Sequence, residues 1–333
     1  MSKYKRVLVT GAGGFIGSHL TRYLKSKGYW VRGVDLKVPE FSITEADEFA
    51  LLDLRRQEDA QAAVEGVEYV YALAADMGGM GFISSHNAEI LYHNSLINLN
   101  TIENARRAGV KRYLFTSSAC VYPEHLQTDS NVTPLREDDA YPAAPQDAYG
   151  WEKLVSERLC QHYREDYEMD TRIVRFHNIF GEKGTWEGGR EKAPAALCRK
   201  IATAKLSRES EIEIWGDGEQ TRSFCYVDDC VEGIYRLMNS SFTGPLNLGQ
   251  DRMVSINQLA DIIAEIAGIQ ISKRYVEGPV GVRGRNSDNS RLRQILSWEP
   301  EVPLEEGLKT TYKWIEERVQ EQLSSLTSTA SVQ

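Results

Sequence analysis

Tyr149 and Lys153 are the pair of residues that most directly suggests chemistry, and Ser118 lies upstream of them. A spacing of four residues places both side chains on one face if the segment is helical. A lysine ammonium beside a phenol favours the phenolate, so we expect a lowered pKa for Tyr149. Such a tyrosine can take the proton of a substrate alcohol while hydride leaves the same carbon, and Ser118 would orient that oxygen. Because the same spacing occurs on ordinary surface helices, the pair needs support from elsewhere in the chain.

Cys120 follows Ser118 by two residues, in the run Ser-Ser-Ala-Cys-Val-Tyr-Pro of residues 117–123. A thiol at this place is expected to face the same cavity as the serine. A thiolate is a competent base for a proton on carbon, especially beside positive charge. Free cysteine is also common as a small buried residue, and that alternative stays open at this point.

A glycine-rich turn near the N-terminus supplies the support. Residues 5–10 form a short apolar run typical of a buried strand, and Gly-Ala-Gly-Gly-Phe-Ile-Gly follows directly. A helix is expected over residues 18–27. This order of strand, glycines and helix is the context that binds a dinucleotide, with the pyrophosphate at the helix N-terminus. The expected cofactor contacts in the turn are Gly11, Gly14, Phe15, Ile16 and Gly17.

Asp35 ends the next expected strand, residues 30–34. A carboxylate there accepts hydrogen bonds from ribose hydroxyls and repels a 2′-phosphate, so the predicted cofactor is NAD rather than NADP. Asp53 follows another short apolar run and is expected to contact the adenine. Tyr149 and Lys153 complete the predicted cofactor contacts.

Helices and strands alternate through the first half of the chain. The expected helices are 56–65, 87–108 and 148–167, and the expected strands are 68–74, 111–116 and 172–175. This alternation predicts an α/β fold, a Rossmann-type doubly wound parallel sheet with a smaller α/β C-terminal substrate domain. The glycine- and methionine-rich residues 76–82 are expected to form a substrate-side loop without helix.

The composition shifts near residue 180, which suggests two domains. We predict an NAD-binding domain at 1–180, with later segments such as 224–248 returning to it, a mainly substrate-binding domain at 181–320, and a flexible tail at 321–333. A closing helix is expected to end at residue 320. The second half places Lys192, Lys200, Arg222, Arg283 and Arg285 on or beside loops, which suits a diphosphate. Asn178 is a candidate hydrogen-bonding partner of the ligand, whereas neighbouring His177 is expected to be structural.

Composition excludes several classes of protein. The chain has 333 residues and a net charge of −9, so general affinity for nucleic acid or anionic membranes is not expected. Five cysteines without a CxxC pair or a His/Cys cluster indicate no metal site and a reducing, cytoplasmic location. The N-terminus runs directly into a strand, so no signal peptide is expected, and no apolar run is long enough to span a membrane.

Several motifs together carry a resemblance to a known family. The turn at residues 10–17, the run 117–123 and Tyr-Gly-Trp-Glu-Lys at 149–153 resemble the cofactor and catalytic motifs of extended short-chain dehydrogenases/reductases that act on nucleotide sugars. More narrowly, the chain resembles the GDP-mannose 3,5-epimerases. That likeness rests on Ala-Ala-Asp-Met-Gly-Gly-Met-Gly-Phe, Gly-Gly-Arg-Glu-Lys-Ala-Pro-Ala-Ala, Trp-Gly-Asp-Gly-Glu-Gln-Thr-Arg-Ser-Phe and Val-Arg-Gly-Arg-Asn-Ser-Asp-Asn.

The resemblance implies roles for individual residues. It makes Cys120 and Lys192 the acid/base pair and gives Tyr149 and Lys153 the redox steps, with Ser118 as a further catalytic residue. It implies a homodimer built through residues 87–108 and 148–167. The implied contacts to the substrate GDP-mannose are Gly78, Ser118, Ala119, Cys120, Tyr149, Asn178, Glu191, Lys192, Ala193, Lys200, Gln220, Thr221, Arg222 and Arg285.

The implied reaction converts GDP-α-D-mannose to GDP-L-galactose, with GDP-L-gulose as a possible second product. Transient oxidation of C4 of the hexose by NAD makes the C3 and C5 protons acidic, because both carbons then flank a ketone. Cys120 and Lys192, acting from opposite faces, would invert C5 and C3 before C4 is reduced again. Neither residue can be assigned as base or acid at a given carbon from the sequence.

Two alternatives remain open. A GDP-fucose synthase shares the fold and a cysteine in a related motif, but it resembles an epimerase joined to a net NADPH reduction, with a histidine as second acid/base group. The chain carries Lys192 and Asp35 instead. A catalytically idle NAD-binding sensor of the same fold is the second alternative, although such a protein would not need Ser118, Tyr149 and Lys153 together.

Overall fold

The structure, a computed structural model, describes residues 5–330, with side chains described through residue 325. Residues 1–4 and 331–333, the latter belonging to the predicted tail, lie outside the described part. The strands are β1 (Arg6–Thr10), β2 (Trp30–Asp35), β3 (Glu48–Leu51), β4 (Tyr69–Ala72), β5 (Arg112–Ser118), β6 (Thr171–Phe176), β7 (Ile179–Phe180), β8 (Glu211–Trp215), β9 (Thr221–Ser223), β10 (Cys225–Tyr226), β11 (Pro245–Leu248), β12 (Met253–Ser255), β13 (Ser272–Val276) and β14 (Gly284–Arg285).

Helices connect most of these strands. They are α1 (Phe15–Ser26), α2 (Gln57–Val64), α3 (Met80–Ile83), α4 (Asn87–Arg107), α5 (Ala148–Tyr167), α6 (Ala193–Ser207), α7 (Val227–Asn239), α8 (Ile256–Ala267), α9 (Ser290–Leu296) and α10 (Leu304–Ala330). No helix within the described residues is both long and apolar enough to cross a membrane.

Seven strands form one parallel sheet in the order β11-β6-β5-β4-β1-β2-β3. Parallel neighbours need crossover connections, and helices supply most of them, whereas β2 and β3 are joined by residues 36–47 without a helix. The strand order reverses at β1, with β4 on one side and β2 on the other. In an open sheet of this type, ligands bind beyond the carboxyl ends of the strands at this reversal. The predicted Rossmann-type doubly wound sheet is confirmed.

Both faces of the sheet are buried, as its apolar strands require. Leu8 of β1 packs in a core with residues of α2, α4 and α5, whereas Val7 and Val9 face a second core. That second core includes Leu20 and Leu24 of α1 and extends through α6, α7, α8 and α10. Because its side chains alternate between the two faces, β1 contributes to both cores and so packs the N-terminal half of the chain against the C-terminal helices.

Small sheets lie in the second half of the chain. In one of them, β9 pairs with β12 on one edge and, in parallel, with β14 on the other. The register places Arg285 directly beside Arg222. A second small sheet pairs β8 with β13, also in parallel. These elements make the predicted smaller α/β part of the fold.

The structure corrects some element predictions. Residues 76–82 are not wholly loop, because the four-residue helix α3 begins at Met80 after the glycines. The closing helix does not end at residue 320; α10 continues to Ala330, so most of the segment 321–333 that was predicted as a flexible tail is helical. Helix α8 begins after Ser255, whose Oγ accepts a hydrogen bond of 3.1 Å from the Gln258 N–H.

Candidate active site

Ser118, Cys120 and Tyr149 meet where β5 ends and α5 begins. Ser118 is the last residue of β5, and its Oγ accepts a hydrogen bond of 3.2 Å from the Cys120 N–H. Cys120 lies in a single 3-10 turn, Ala119–Val121, that leads the chain away from the sheet. Tyr149 lies in the first turn of α5, and the Ser118 side chain interacts with its phenol. The structure thus brings three of the predicted catalytic residues together.

Gly150 allows α5 to begin this close to Cys120. A Cβ atom at position 150 would lie 2.1 Å from the Cys120 carbonyl oxygen, so the first turn of α5 rests on that backbone. Asp147 caps the helix by accepting a hydrogen bond of 2.8 Å from the Gly150 N–H. Neither residue was predicted from the sequence as a determinant of the site. The pattern that could have indicated them is an aspartate three residues before a glycine, which is the spacing of a helix N-cap and the N–H group it accepts from.

Lys153 lies one helical turn after Tyr149, and both side chains are buried. The Lys153 Nζ atom is 5.5 Å from the centroid of the Tyr149 ring and 4.8 Å from that of Phe115. The ammonium group therefore lies near both rings, and Tyr149 and Lys153 share one face of the helix as their spacing predicted.

The expected low pKa of Tyr149 is not found. Burial raises its pKa well above the ordinary value, and the Cys120 thiol and the nearby carboxyl groups of Glu152 and Asp147 add to this effect. The Ser118 hydroxyl opposes the shift without reversing it. The prediction considered the charge of Lys153 but not the loss of water around the phenol, which is the larger effect here.

A buried ion pair supports the end of β5. Arg175 donates to both carboxylate oxygens of Glu157 at 2.8 and 2.7 Å, and both residues are almost fully buried. Ser117 donates a hydrogen bond of 2.5 Å to the same carboxylate. His177 lies nearby, hydrogen-bonded to Asn247 at 3.0 Å, and burial lowers its pKa to about 3. It is therefore neutral at ordinary pH, in agreement with the predicted structural role.

Lys192 immediately precedes α6 and lies close enough to Cys120 for the two groups to interact electrostatically. Although the residue keeps a partly accessible surface, loss of water lowers the pKa of its ammonium group. The Cys120 and Cys230 thiols oppose that shift, and Arg285 adds to it. The ammonium makes no hydrogen bond or ion pair with another described residue. It is therefore free to exchange a proton with a ligand.

Arg222 and Arg285 lie side by side without a carboxylate partner among the described residues. Arg285 donates to the Cys120 Sγ at 3.4 Å, and Arg222 donates to the carbonyl oxygens of Thr221 and Val282 at 2.7 and 2.6 Å. Burial, with a contribution from Arg285, lowers the pKa of Arg222 to about 9. Two adjacent guanidinium groups held this way fit an anion such as a diphosphate.

Gln127 holds the second of these arginines in place. Its Oε1 accepts a hydrogen bond of 2.5 Å from the Arg285 Nε, and its Nε2 donates to the carbonyl oxygens of Tyr122 and Pro123, both at 3.1 Å. The sequence analysis missed this residue. The contact joins residues far apart in the chain, so no local sequence pattern predicts it.

Other predicted substrate contacts are engaged with the protein. Asn178 has a φ of 46° and donates to the Ser223 carbonyl at 2.9 Å. Lys200 donates to the Glu213 carbonyl at 2.7 Å. The Glu191 carboxylate pairs with Arg199 at 2.8 Å and accepts a hydrogen bond of 2.7 Å from the Gly189 N–H. All three polar side chains are therefore held by partners within the protein.

The remaining predicted contacts also have partners within the protein or begin short helical elements. Gln220 donates to the Trp215 carbonyl at 3.1 Å, which leaves its Oε1 buried without a partner. Thr221 donates to the Ser130 carbonyl at 2.5 Å. Gly78 packs against Phe82. Ala119 and Ala193 begin the turn of Cys120 and helix α6, respectively.

The glycine turn after β1 fits a dinucleotide. Gly11 has a φ of 70°, which is left-handed. A Cβ at position 13 would lie 2.0 Å from the Lys37 carbonyl oxygen, and one at position 17 would lie 2.0 Å from that of Gly11. Phe15 and Ile16 form the first turn of α1, whose free N–H groups face the carboxyl end of the sheet. This close backbone packing leaves room for pyrophosphate at the helix N-terminus.

The two acidic cofactor candidates differ in their present partners. Asp35 ends β2 beside the glycine turn and accepts hydrogen bonds from the N–H groups of Gly13 at 2.9 Å and Leu36 at 2.6 Å. Asp53 lies beyond β3, and both its oxygens are engaged by Arg55 at 2.8 and 2.7 Å. The position of Asp35 fits a ribose contact. No group of described residues could hold a metal ion.

A sequence profile of the NAD dependent epimerase/dehydratase family matches residues 7–249. The chain belongs to this family. The match covers the glycine turn, the cluster of Ser118, Cys120 and Tyr149, and strand β9, which carries Arg222. Family membership explains why the cofactor turn and the tyrosine–lysine helix lie on one sheet.

Individual relatives in the family narrow the comparison. The chain is 49% identical over 323 residues to GDP-mannose 3,5-epimerase 1 of Oryza sativa subsp. japonica, covering 96% of this chain and 84% of that protein. It is 30% identical to the probable GDP-L-fucose synthase 1 of the same plant, covering 94% and 93%. Among solved structures, the UDP-glucose 4-epimerase of Thermotoga maritima superposes with a TM-score of 0.84 at 27% identity, covering 94% of this chain and 99% of that one.

Proposed function

We propose that the protein is a GDP-mannose 3,5-epimerase that converts GDP-α-D-mannose to GDP-L-galactose. GDP-L-gulose is the second product expected when only C5 is inverted. The observation that carries the proposal is the proximity of Cys120 to both Tyr149 and Lys192, each of which interacts with the thiol. The extent of identity with the rice GDP-mannose 3,5-epimerase supports GDP-mannose as substrate.

The cofactor is NAD, held by the glycine turn of residues 11–17 and by Asp35 and Asp53. When bound, NAD supplies a hydride acceptor and later a hydride donor for C4. Tyr149 and Ser118 hydrogen-bond the C4 oxygen. The ammonium group of the buried Lys153 stabilises the phenolate form of Tyr149 against the effect of burial. In that form Tyr149 takes the proton of the C4 hydroxyl as hydride leaves C4, and it returns the proton to the C4 oxygen when C4 is reduced again.

Cys120 and Lys192 carry the acid/base steps at C5 and C3. The proton leaves one face of the ring and is replaced on the other, so two groups on separate elements are needed. Cys120 lies in the turn after β5, and Lys192 precedes α6. Arg285 donates to the Cys120 Sγ at 3.4 Å, so a positive charge lies beside the sulfur atom.

The GDP moiety binds in the second half of the chain. The guanidinium groups of Arg222 and Arg285 bind the diphosphate, because neither is paired with a carboxylate among the side chains of residues 5–325. Lys200, Gln220 and Asn178 complete the contacts after rearranging their present hydrogen bonds. This proposal divides the chain into a nucleotide-binding part, 1–180 with 224–248, and a mainly GDP-sugar-binding part, 181–320. The five free cysteines favour a cytoplasmic location.

Incubation with GDP-mannose in deuterated water, followed by NMR of the sugar, tests the proposed function. We expect deuterium at C3 and C5 and a growing GDP-L-galactose signal without net consumption of NAD. No exchange in the presence of added NAD would reject the proposal. Net oxidation of NADPH with a 4-keto-6-deoxy sugar would instead favour a GDP-fucose synthase. Tight NAD binding without turnover of any GDP-sugar would indicate a sensor.

A homodimer is also proposed, formed through α4 and α5. These two helices pack together, yet they leave apolar side chains exposed on their outer surface. The exposed fraction is 64% for both Tyr92 and Val155, and Leu91, Leu99 and Trp151 are also exposed. A second copy of the same helix pair would bury this surface and form a four-helix interface.

Replacing Val155 with aspartate is expected to convert the dimer to a monomer, because a charge would be buried at the proposed interface. Sedimentation velocity measures the change. Leu126→Asp, at another partly exposed apolar position away from these helices, is the matched control and should leave the mass unchanged. A monomeric wild-type protein would contradict the proposal directly.

A further inference from the structure

The loop that leads into Lys192 is attached to the segment of residues 76–83 through Arg190. The Arg190 Nη1 lies 3.1 Å from the Asp76 Oδ1, and its guanidinium carbon lies 3.7 Å from the centroid of the Phe82 ring. Its carbonyl oxygen accepts a hydrogen bond of 3.0 Å from the Gly79 N–H. An ion pair, a cation–π contact and a backbone hydrogen bond therefore converge on a residue two positions before Lys192.

Asp76 is itself anchored to α4. The Asn94 side chain, which is fully buried, accepts from the Asp76 N–H at 2.6 Å and donates to the Asp76 carbonyl at 3.1 Å. The other carboxylate oxygen of Asp76 lies 3.3 Å from the His93 Nδ1. Arg190 is therefore paired with a residue whose backbone is held by α4.

The two segments also pack closely. A Cβ at position 79 would lie 2.5 Å from the Glu191 carbonyl oxygen, so only glycine allows this approach. On its other side, Glu191 is tied to Arg199 of α6 at 2.8 Å. The backbone on either side of Lys192 is therefore attached both to the nucleotide-binding half and to α6.

Lys192 needs this support because nothing holds its ammonium group. It has no hydrogen bond or ion pair with another described side chain, and a lysine stem is flexible. The position of the ammonium group therefore depends on the position of the Lys192 backbone. A misplacement of about 1 Å in an acid/base group can lower the rate by about a hundredfold.

We propose that Arg190 is a positioning residue that fixes Lys192 for proton transfer by tying its loop to Asp76, Gly79 and Phe82. The role rests on the proposed epimerase function. The contacts of Arg190 are with Asp76, Met77, Gly79 and Phe82, not with Cys120; it acts through the backbone that carries Lys192. Tyr149 lies on α5 and does not depend on this contact, so the oxidation of C4 and the epimerisation should respond differently.

Replacing Arg190 with alanine is the test. We expect deuterium exchange at C3 and C5 to slow by about tenfold to a hundredfold through kcat, with little change in KM. Transient reduction of NAD on mixing with GDP-mannose should stay near the wild-type rate. This ratio of exchange to oxidation is the decisive readout, because a general loss of folding would lower both. Thermal unfolding of each variant is measured in parallel.

Two further variants sharpen the test. Arg190→Lys keeps the charge near Asp76 but loses the planar contact with Phe82, so an intermediate exchange rate is expected. Exchanging the pair, with Asp76→Arg and Arg190→Asp in one chain, should restore part of the exchange lost in Arg190→Asp alone. Arg252→Ala is the matched control. Arg252 forms a similarly exposed ion pair with Glu305, with 2.6 Å between the charged atoms, and this pair lies outside the site.

Each outcome decides the matter. If exchange in Arg190→Ala equals that in the wild type and in Arg252→Ala, Arg190 is not a positioning residue. The proposed epimerase function would not be affected by that result. An equal loss of exchange and of NAD reduction would also overturn the role of Arg190, since the effect would then not act through Lys192. Absence of exchange in the wild-type protein would reject the proposed function, and this role of Arg190 with it.

Discussion

Replacing Cys120 with serine, or Lys192 with methionine, is expected to stop epimerisation while leaving C4 oxidation in place. Either change removes one of the two groups that must act on opposite faces of the ring, and a lost acid/base group typically costs about a hundredfold to ten-thousandfold in rate. NAD should stay bound, because neither residue belongs to the glycine turn. NMR measures exchange at C3 and C5, and absorbance of the reduced nicotinamide measures C4 oxidation.

Cys160→Ala is a matched control for the cysteine change, because Cys160 is a buried thiol on α5 outside the cavity. It should retain exchange at both carbons. Full exchange in Cys120→Ser or Lys192→Met would show that the acid/base pair has been assigned incorrectly.

The pH dependence of exchange gives a second check on Lys192. Burial lowers the pKa of its ammonium, so the protonated form is lost at a lower pH than for a solvent-exposed lysine. If Lys192 acts as the acid, exchange should fall on the alkaline side below the ordinary lysine pKa. In Lys192→Met, which has no proton to donate, the residual exchange should lack that decline.

Tyr149→Phe is expected to abolish both C4 oxidation and epimerisation. Phenylalanine keeps the ring that packs against Lys153 but removes the hydroxyl that exchanges a proton with the C4 oxygen. Since C3 and C5 become acidic only after C4 is oxidised, exchange at both carbons should be lost together, by about a hundredfold to ten-thousandfold. Rapid mixing with GDP-mannose, followed by nicotinamide absorbance and NMR, measures the two losses.

Tyr71→Phe is the matched control, because the Tyr71 hydroxyl is buried without a hydrogen-bond partner in the described part of the chain. Removing it should leave activity unchanged. A Tyr149→Phe variant that reduces NAD at the wild-type rate would reject oxidation by way of Tyr149. A variant that loses oxidation but still exchanges C3 and C5 would reject the order of the steps.

The parallel sheet and the family were predictable because their signals are local and repeated. Apolar runs alternating with helices predict parallel strands, and the glycines after β1 fix the place of the cofactor turn. Two helices differ from the prediction. Helix α3 begins after glycines that argued against helix, and α10 extends beyond its predicted end at residue 320.

The active-site cluster was predictable in part. Ser118 and Cys120 are neighbours in sequence, and Tyr149 and Lys153 share a helical face, so each pair follows from local geometry. Their roles stay predictions until the variants above are measured. That the two pairs meet depends on Gly150, whose missing side chain lets α5 rest on the Cys120 carbonyl.

Sequence by itself determined the residue types, the strand and helix order, and the likeness to nucleotide-sugar epimerases, because these depend on local pattern. Tertiary structure alone decided three other features. It raised the pKa of Tyr149 by burial, placed Arg285 beside Arg222 without a carboxylate, and tied Lys192 to the nucleotide-binding half through Arg190. Each depends on desolvation or on contacts between segments far apart in the chain, which spacing along one segment does not encode.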